Sequence, residues 1–149
     1  MFRRTAVSVA LTAALLGAVA LPAAAESAPL SAPAADAPVG AAATVIDVTS
    51  QNFPEVLKMS EQRPVVLDFY ADWCGPCKQM KPHLEKFHNQ DGDKWVLARV
   101  NVDKNRPISQ KYNVRYIPTL LNIQKGVEAG SRHEGFDGPG PLRAWLNAL

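Results

Sequence analysis

From residue 44 onward the apolar positions switch between strand-like and helix-like periods. "TVIDV" (44–48) is a short β-rich run, and "SQNFPEVLKMS" (50–60) places Phe53, Val56, Leu57 and Ser60 at helical spacing behind a Ser/Asn start. "PVVLDFY" (64–70) is continuously apolar apart from one charge, the pattern of a central strand buried on both faces. A helix is predicted from Cys74 to about Asn89, with Met80, Leu84 and Phe87 inward and Pro82 kinking it. "KWVLARVNV" (94–102) predicts the next strand, and "RPISQKYN" (106–113) a short helix with Pro107 in its first turn. "TLLNIQ" (119–124) and "SRHEGF" (131–136), joined by a turn at Lys125-Gly126, predict a hairpin, and "GPLRAWLNAL" (140–149) a closing amphipathic helix. Strands alternating with helices and ending in a hairpin predict an α/β fold, a central mixed β-sheet flanked by helices.

The pattern before residue 44 is different. Met1 to Ala25 has a basic head (Arg3, Arg4), an apolar run from Ala6 to Leu21 and a small-residue exit at Ala23-Ala24-Ala25, which reads as a cleavable export signal. The alternative, an uncleaved anchor, is disfavoured because the run is short of the roughly 20 residues of a membrane helix. Residues 26–43, "ESAPLSAPAADAPVGAAA", have no aromatic residue and no period able to bury a face, and read as a disordered linker. Residues 44–149 are enough for one core and too few for two ordinary domains. Without Arg3 and Arg4 the basic count falls from 16 to 14, equal to the 14 acidic residues. A near-neutral domain excludes the polybasic surface of a nucleic-acid or lipid binder.

Only two cysteines occur, Cys74 and Cys77, within "YADWCGPCKQM" (70–80). A structural staple is one reading, but a bridge over two residues closes so small a loop that it constrains the unfolded chain little. Half of a zinc site is another, yet no second cysteine pair exists and the three histidines, His83, His88 and His133, are isolated; no metal or cofactor is expected. Dithiol exchange uses the whole stretch. Cys74 would sit at a helix N-terminus, where unpaired N–H groups favour its thiolate and make it the exposed nucleophile. Cys77, one turn on and shielded, would resolve the mixed disulfide, with Gly75 between them and Pro76 stiffening the first turn. Asp68 is the one charge in "VVLDFY". It either caps a neighbouring loop or, with its pKa raised by burial, serves as the base that deprotonates Cys77.

"VVLDFYADWCGPCKQMKP", "ARVNVDKN", "KYNVRYIPTLL" and the glycine-containing hairpin together resemble the thioredoxin family, over essentially all of residues 44–149. The resemblance implies the thioredoxin fold and a redox-active Cys74–Cys77 disulfide. It implies a cis bond between Ile117 and Pro118, where Pro118 could otherwise be a plain turn proline, and a substrate groove formed by Trp73, Ile117, Pro118 and Gly135. Three positions depart from the family pattern. Arg99 replaces a Lys near the buried Asp and is expected to hold Asp68 more firmly ionised. Tyr116 replaces a common Gly beside the groove, and Glu134 stands where an apolar residue is usual; either is a functional change or neutral drift. Gly-Pro between the cysteines resembles the reducing end of the family. The expected function is therefore reduction of protein disulfides outside the cytoplasm, in the periplasm with secretion as the alternative, by a monomer recharged by a membrane electron donor. The alternatives are a dithiol oxidase or isomerase, and a non-catalytic binding module or holdase that uses the same groove.

Overall fold

The computed structural model describes residues 43–149; the export-signal reading of 1–25 and all but the last residue of the 26–43 linker reading lie outside them. In chain order the elements are β1 (Val45–Asp47), α1 (Phe53–Met59), β2 (Val65–Tyr70), α2 (Gly75–Asp91), a 3₁₀ turn (Gly92–Lys94), β3 (Val96–Asn101), α3 (Arg106–Lys111), β4 (Thr119–Gln124), β5 (Val127–Glu128), β6 (His133–Glu134) and α4 (Pro139–Leu146). One mixed sheet runs β1-β3-β2-β4-β5, with β6 also paired to β4; β1, β3 and β2 are parallel and β4 is antiparallel to β2. The expected class, a central mixed sheet flanked by helices, is what forms.

Strand alternation divides the core in two. Val65, Leu67 and Phe69 of β2 face Phe53 and Val56 of α1 and Ile108 of α3, while Val66 faces Met80 and Leu84 of α2 and Leu142 and Leu146 of α4. Each fully buried aliphatic or aromatic side chain contributes about 1.5–3 kcal/mol of transfer free energy. Asp68 shares the Val66 side of β2, so the only charge in that strand points under α2 rather than to solvent.

Several boundaries differ from the sequence expectation for local reasons. α2 begins at Gly75, because Cys74 is extended (φ −77°, ψ 109°) and serves as the N-cap. The helix runs through Pro82 and on to Asp91 and ends at Gly92, whose φ of +59° with ψ of −130° favours glycine and whose N–H donates to His88 O. Phe87 is half-buried rather than fully inward, and the inward position one residue on is taken by His88, whose ring lies 4.6 Å from that of Trp95. The predicted return arm of the hairpin is two short strands. Leu120 and Ile123 are separated by two residues on β4, but their partners His133 and Glu128 by four. The extra residues form a bulge held by the Ala129 N–H donating to Asn122 O at 2.8 Å, with Gly130 at φ +71° and Arg132 folded back on Glu128 and on Tyr112 O.

α4 is fastened to α2 by Asp91. Its carboxylate accepts from Arg143 Nη1 and Nη2 at 2.8 and 2.9 Å and from Trp95 Nε1 at 2.9 Å. Burial alone would push this carboxyl up, but the hydrogen bonds from Arg143 and Trp95 prevail and hold it below the ordinary aspartate range. Its stabilisation is therefore present above an unfolded pKa of 3.8 and is lost as pH falls through the lower folded value. Asp91→Ala should cost about 1–3 kcal/mol at pH 7, as expected for hydrogen bonds to a charged group. Urea unfolding should show this loss shrinking at strongly acid pH; an equal loss at every pH would contradict the ion-pair reading.

Candidate active site

Strand β2 ends at Tyr70, and four residues later the chain enters α2, so the helix N-terminus lies just beyond the end of the buried strand. Cys74 occupies the N-cap. Its N–H donates to Ala71 O at 3.2 Å, its carbonyl accepts from Lys78 N at 3.2 Å, and its Sγ accepts the Cys77 N–H at 3.2 Å. A sulfur here does what a Ser or Asp oxygen does at other helix starts, satisfying an N–H that has no partner within the helix. Pro76 sits in the first turn, where its missing N–H leaves no bond unmade. The two sulfurs are joined as the Cys74–Cys77 disulfide.

Both cysteines are 3 % exposed, so the expectation that Cys74 is the open sulfur and Cys77 the shielded one is not met in the disulfide form. Ala71, Val102, Tyr70 and Ile117 pack around the pair. The exposed groups are its neighbours, Trp73, Gly75 and Pro76. Trp73 is 69 % exposed and is held by Nε1 donating to Asp103 Oδ2 at 2.9 Å. The Ile117-Pro118 peptide is cis, and Pro118 is buried while Ile117 is half-buried. Pro118 O accepts the Gly135 N–H at 2.8 Å; Gly135 has φ +80°, a conformation that favours glycine. Trp73 and Ile117 line one shallow groove of about 300 Å³, whose far rim includes Tyr116, 70 % exposed. Tyr116 thus extends the groove wall. Glu134, exposed on β6 opposite Thr119, makes no described contact with the cysteines.

Asp68 lies beside Arg99 in the parallel β2–β3 register, and Arg99 Nε donates to Asp68 Oδ2 at 2.9 Å. Oδ1 is buried without a hydrogen-bond partner. Arg99 is expected from the sequence to keep Asp68 ionised, and it does oppose protonation. Burial is the larger influence, however, and the Asp68 carboxyl rises above its ordinary range. The Arg99 guanidinium also lies 4.0 Å from the centre of the Tyr70 ring, which fixes its plane. Cys77, Arg99, Tyr70 and Lys78 line a common cleft of about 260 Å³ that leads past the resolving cysteine. Among the described residues no cluster of three or more His, Cys, Asp or Glu is placed to hold a metal ion. His83, His88 and His133 lie apart, against Phe136, Trp95 and Trp145 respectively.

Three contributors were not singled out from the sequence. Asp103 anchors Trp73, Tyr70 carries Arg99, and Asn101 Nδ2 donates to Asp72 at 3.3 Å while its Oδ1 accepts from the Asp103 N–H at 3.0 Å. The available signal was "VNVDKN", polar residues at the end of an apolar strand, which is where a parallel sheet places its site.

Because the folded pKa of Asp68 is raised, the neutral carboxyl is the better-tolerated form. The associated stability is complete below the unfolded value of 3.8 and is lost as pH rises through the folded value. Asp68→Asn, which cannot ionise, should therefore gain stability relative to the wild type as pH rises from about 4 towards 8. Parallel pH–stability curves for the two proteins would rule out a buried, ionising Asp68.

Comparison with known proteins agrees with this geometry. A family model described as Thioredoxin matches residues 44–148. The chain is 46 % identical over 70 residues to Thioredoxin-T of Drosophila melanogaster, covering 47 % of this chain but only 45 % of that protein. It is 41 % identical over 88 residues to the thioredoxin of Thiocapsa roseopersicina, covering 58 % of this chain and 94 % of the relative. The crystal structure of Malassezia sympodialis thioredoxin superposes with a TM-score of 0.64 at 30 % identity, covering 71 % of this chain and 90 % of that one. With the family match spanning the whole described sheet, the disulfide at the start of α2 and the cis Ile117-Pro118 bond, whose Ile117 packs against the cysteines, the chain belongs to the thioredoxin family.

Proposed function

We propose that this protein is a thiol–disulfide oxidoreductase that reduces protein disulfides outside the cytoplasm. The observation that carries the reading is the Cys77 N–H donating to Cys74 Sγ at a helix N-cap, because the same donor stabilises a Cys74 thiolate once the disulfide is reduced. The Cys74 thiolate attacks one sulfur of a substrate disulfide, forming a mixed disulfide and releasing one substrate thiolate. Cys77 gives its proton to the Asp68 carboxylate and attacks Cys74 Sγ. The second substrate thiolate leaves, the Cys74–Cys77 disulfide forms, and two electrons have passed from the protein to the substrate. A carboxyl whose pKa is raised by burial suits the proton step, since it takes up a proton more readily than an ordinary aspartate. Trp73, Ile117, Pro118 and Gly135 supply the groove for the substrate strand, and Arg99 positions Asp68.

The extracytoplasmic placement rests on residues 1–25, whose basic head, apolar run and small-residue exit have the form of an export signal, followed by the 26–43 linker. A periplasmic reductant is cut off from cytosolic donors, so a membrane protein is the proposed source of electrons. The protein is proposed to act as a monomer.

Cys74→Ser should abolish reduction of a disulfide-bonded protein substrate, and Cys77→Ser should accumulate the mixed disulfide on Cys74; unchanged function of Cys74→Ser in cells, with its reduction of disulfides lost, would instead support a holdase. Asp68→Asn should slow resolution of the mixed disulfide by about a hundredfold or more, the range of general acid–base contributions. Equilibration of the full chain against dithiol buffers should give a reduction potential near the thioredoxin end, about −270 mV. A value about 100 mV or more higher would favour the oxidase or isomerase reading.

A further inference from the structure

The groove beside the disulfide has a charged end that the dithiol chemistry does not use. Trp73, Val102 and Ile117 line its apolar part next to the cysteines, and Arg106, Arg115 and Tyr116 line the part farther out along α3 and the loop before the cis proline. Both arginines are exposed, and among the described residues neither side chain makes an ion pair or hydrogen bond. The carboxylate in this lining is Asp103, already engaged by Trp73 Nε1. With two arginines against the single Asp103 carboxylate, the lining of the groove is net basic.

Two exposed aromatic faces and two unpaired arginines around a shallow apolar groove are the residue types that dominate protein–protein recognition. We propose that this end of the groove selects its substrates by charge, taking a polypeptide segment that carries Asp or Glu within a few residues of its disulfide cysteine, on the side that lies over Arg106 and Arg115. The inference rests on the disulfide-reductase reading above and adds the substrate class. Tyr116 and Trp73 cover the apolar part of the segment, and the arginine forks take its carboxylates.

The test uses the full chain and short peptide disulfides with a single Glu or a single Lys placed two residues before or two residues after the cysteine, together with neutral hydroxyethyl disulfide. At low ionic strength one of the Glu peptides should exceed its Lys counterpart in kcat/KM by about fivefold, and the difference should shrink as salt is added. R106Q/R115Q should erase the preference and R106E/R115E should reverse it, while all three proteins reduce hydroxyethyl disulfide at the same rate. Equal kcat/KM for the Glu and Lys peptides, or a preference untouched by both double variants, overturns the charge selection while leaving the reductase reading intact. Failure of the wild type to reduce hydroxyethyl disulfide as well would overturn the reductase reading on which it rests.

Discussion

The backbone N–H of Cys77, donating to Cys74 Sγ across the first turn of α2, is the interaction on which the rest of the site depends. It exists because Cys74 adopts extended dihedrals at the N-cap, and the N-cap falls there because β2, fully buried, ends at Tyr70 and leaves only a short link to the helix. Move the helix start by one residue and the two sulfurs no longer share one turn. The sheet order serves the same end: β2 is central, with β3 on one side and β4 on the other. The segment after β3 supplies Asp103 to hold Trp73, and Ile117, ahead of the cis proline before β4, packs against the disulfide.

Asp68 and Arg99 show a compromise between stability and chemistry. A carboxylate in the middle of a central strand is costly to desolvate, and the single Arg99 contact does not fully compensate. An apolar residue would pack there with less penalty. The same shortfall raises the carboxyl's pKa, as a fully satisfied ion pair would not, and the proposed proton exchange with Cys77 uses that shift. Asp91 is the counterexample within the same fold. With three donors around it, its pKa falls instead of rising, and its work is to fasten α4 to α2.

Much of this was legible in the sequence because the signals were periodic or chemically singular. "VVLDFY" could only be a two-sided strand with one charge inside, and Cys-Gly-Pro-Cys after it could only begin a helix. The cis bond at Pro118 and the groove residues came from likeness to a family, since nothing local distinguishes that proline from one in a turn. What could not be read depended on distant pairs. Asp103 and Trp73 are 30 positions apart, and no local pattern joins them. The broken return arm of the hairpin hid because "SRHEGF" alternates like an unbroken strand, whereas the four residues between Glu128 and His133 set up the bulge. Burial of Cys74 was equally out of reach, since it is made by Ala71, Val102 and Ile117 from three segments.

The most direct measurement is the pH titration of the Cys74 thiolate in the reduced full-length protein, followed by its ultraviolet absorbance. A helix N-cap that presents the Cys77 N–H to the sulfur predicts a pKa below the ordinary thiol value of about 8.5. A pKa at or above about 8.5 would mean that the N–H and the helix terminus do not stabilise the thiolate, and the central assignment of Cys74 as an activated nucleophile would be wrong.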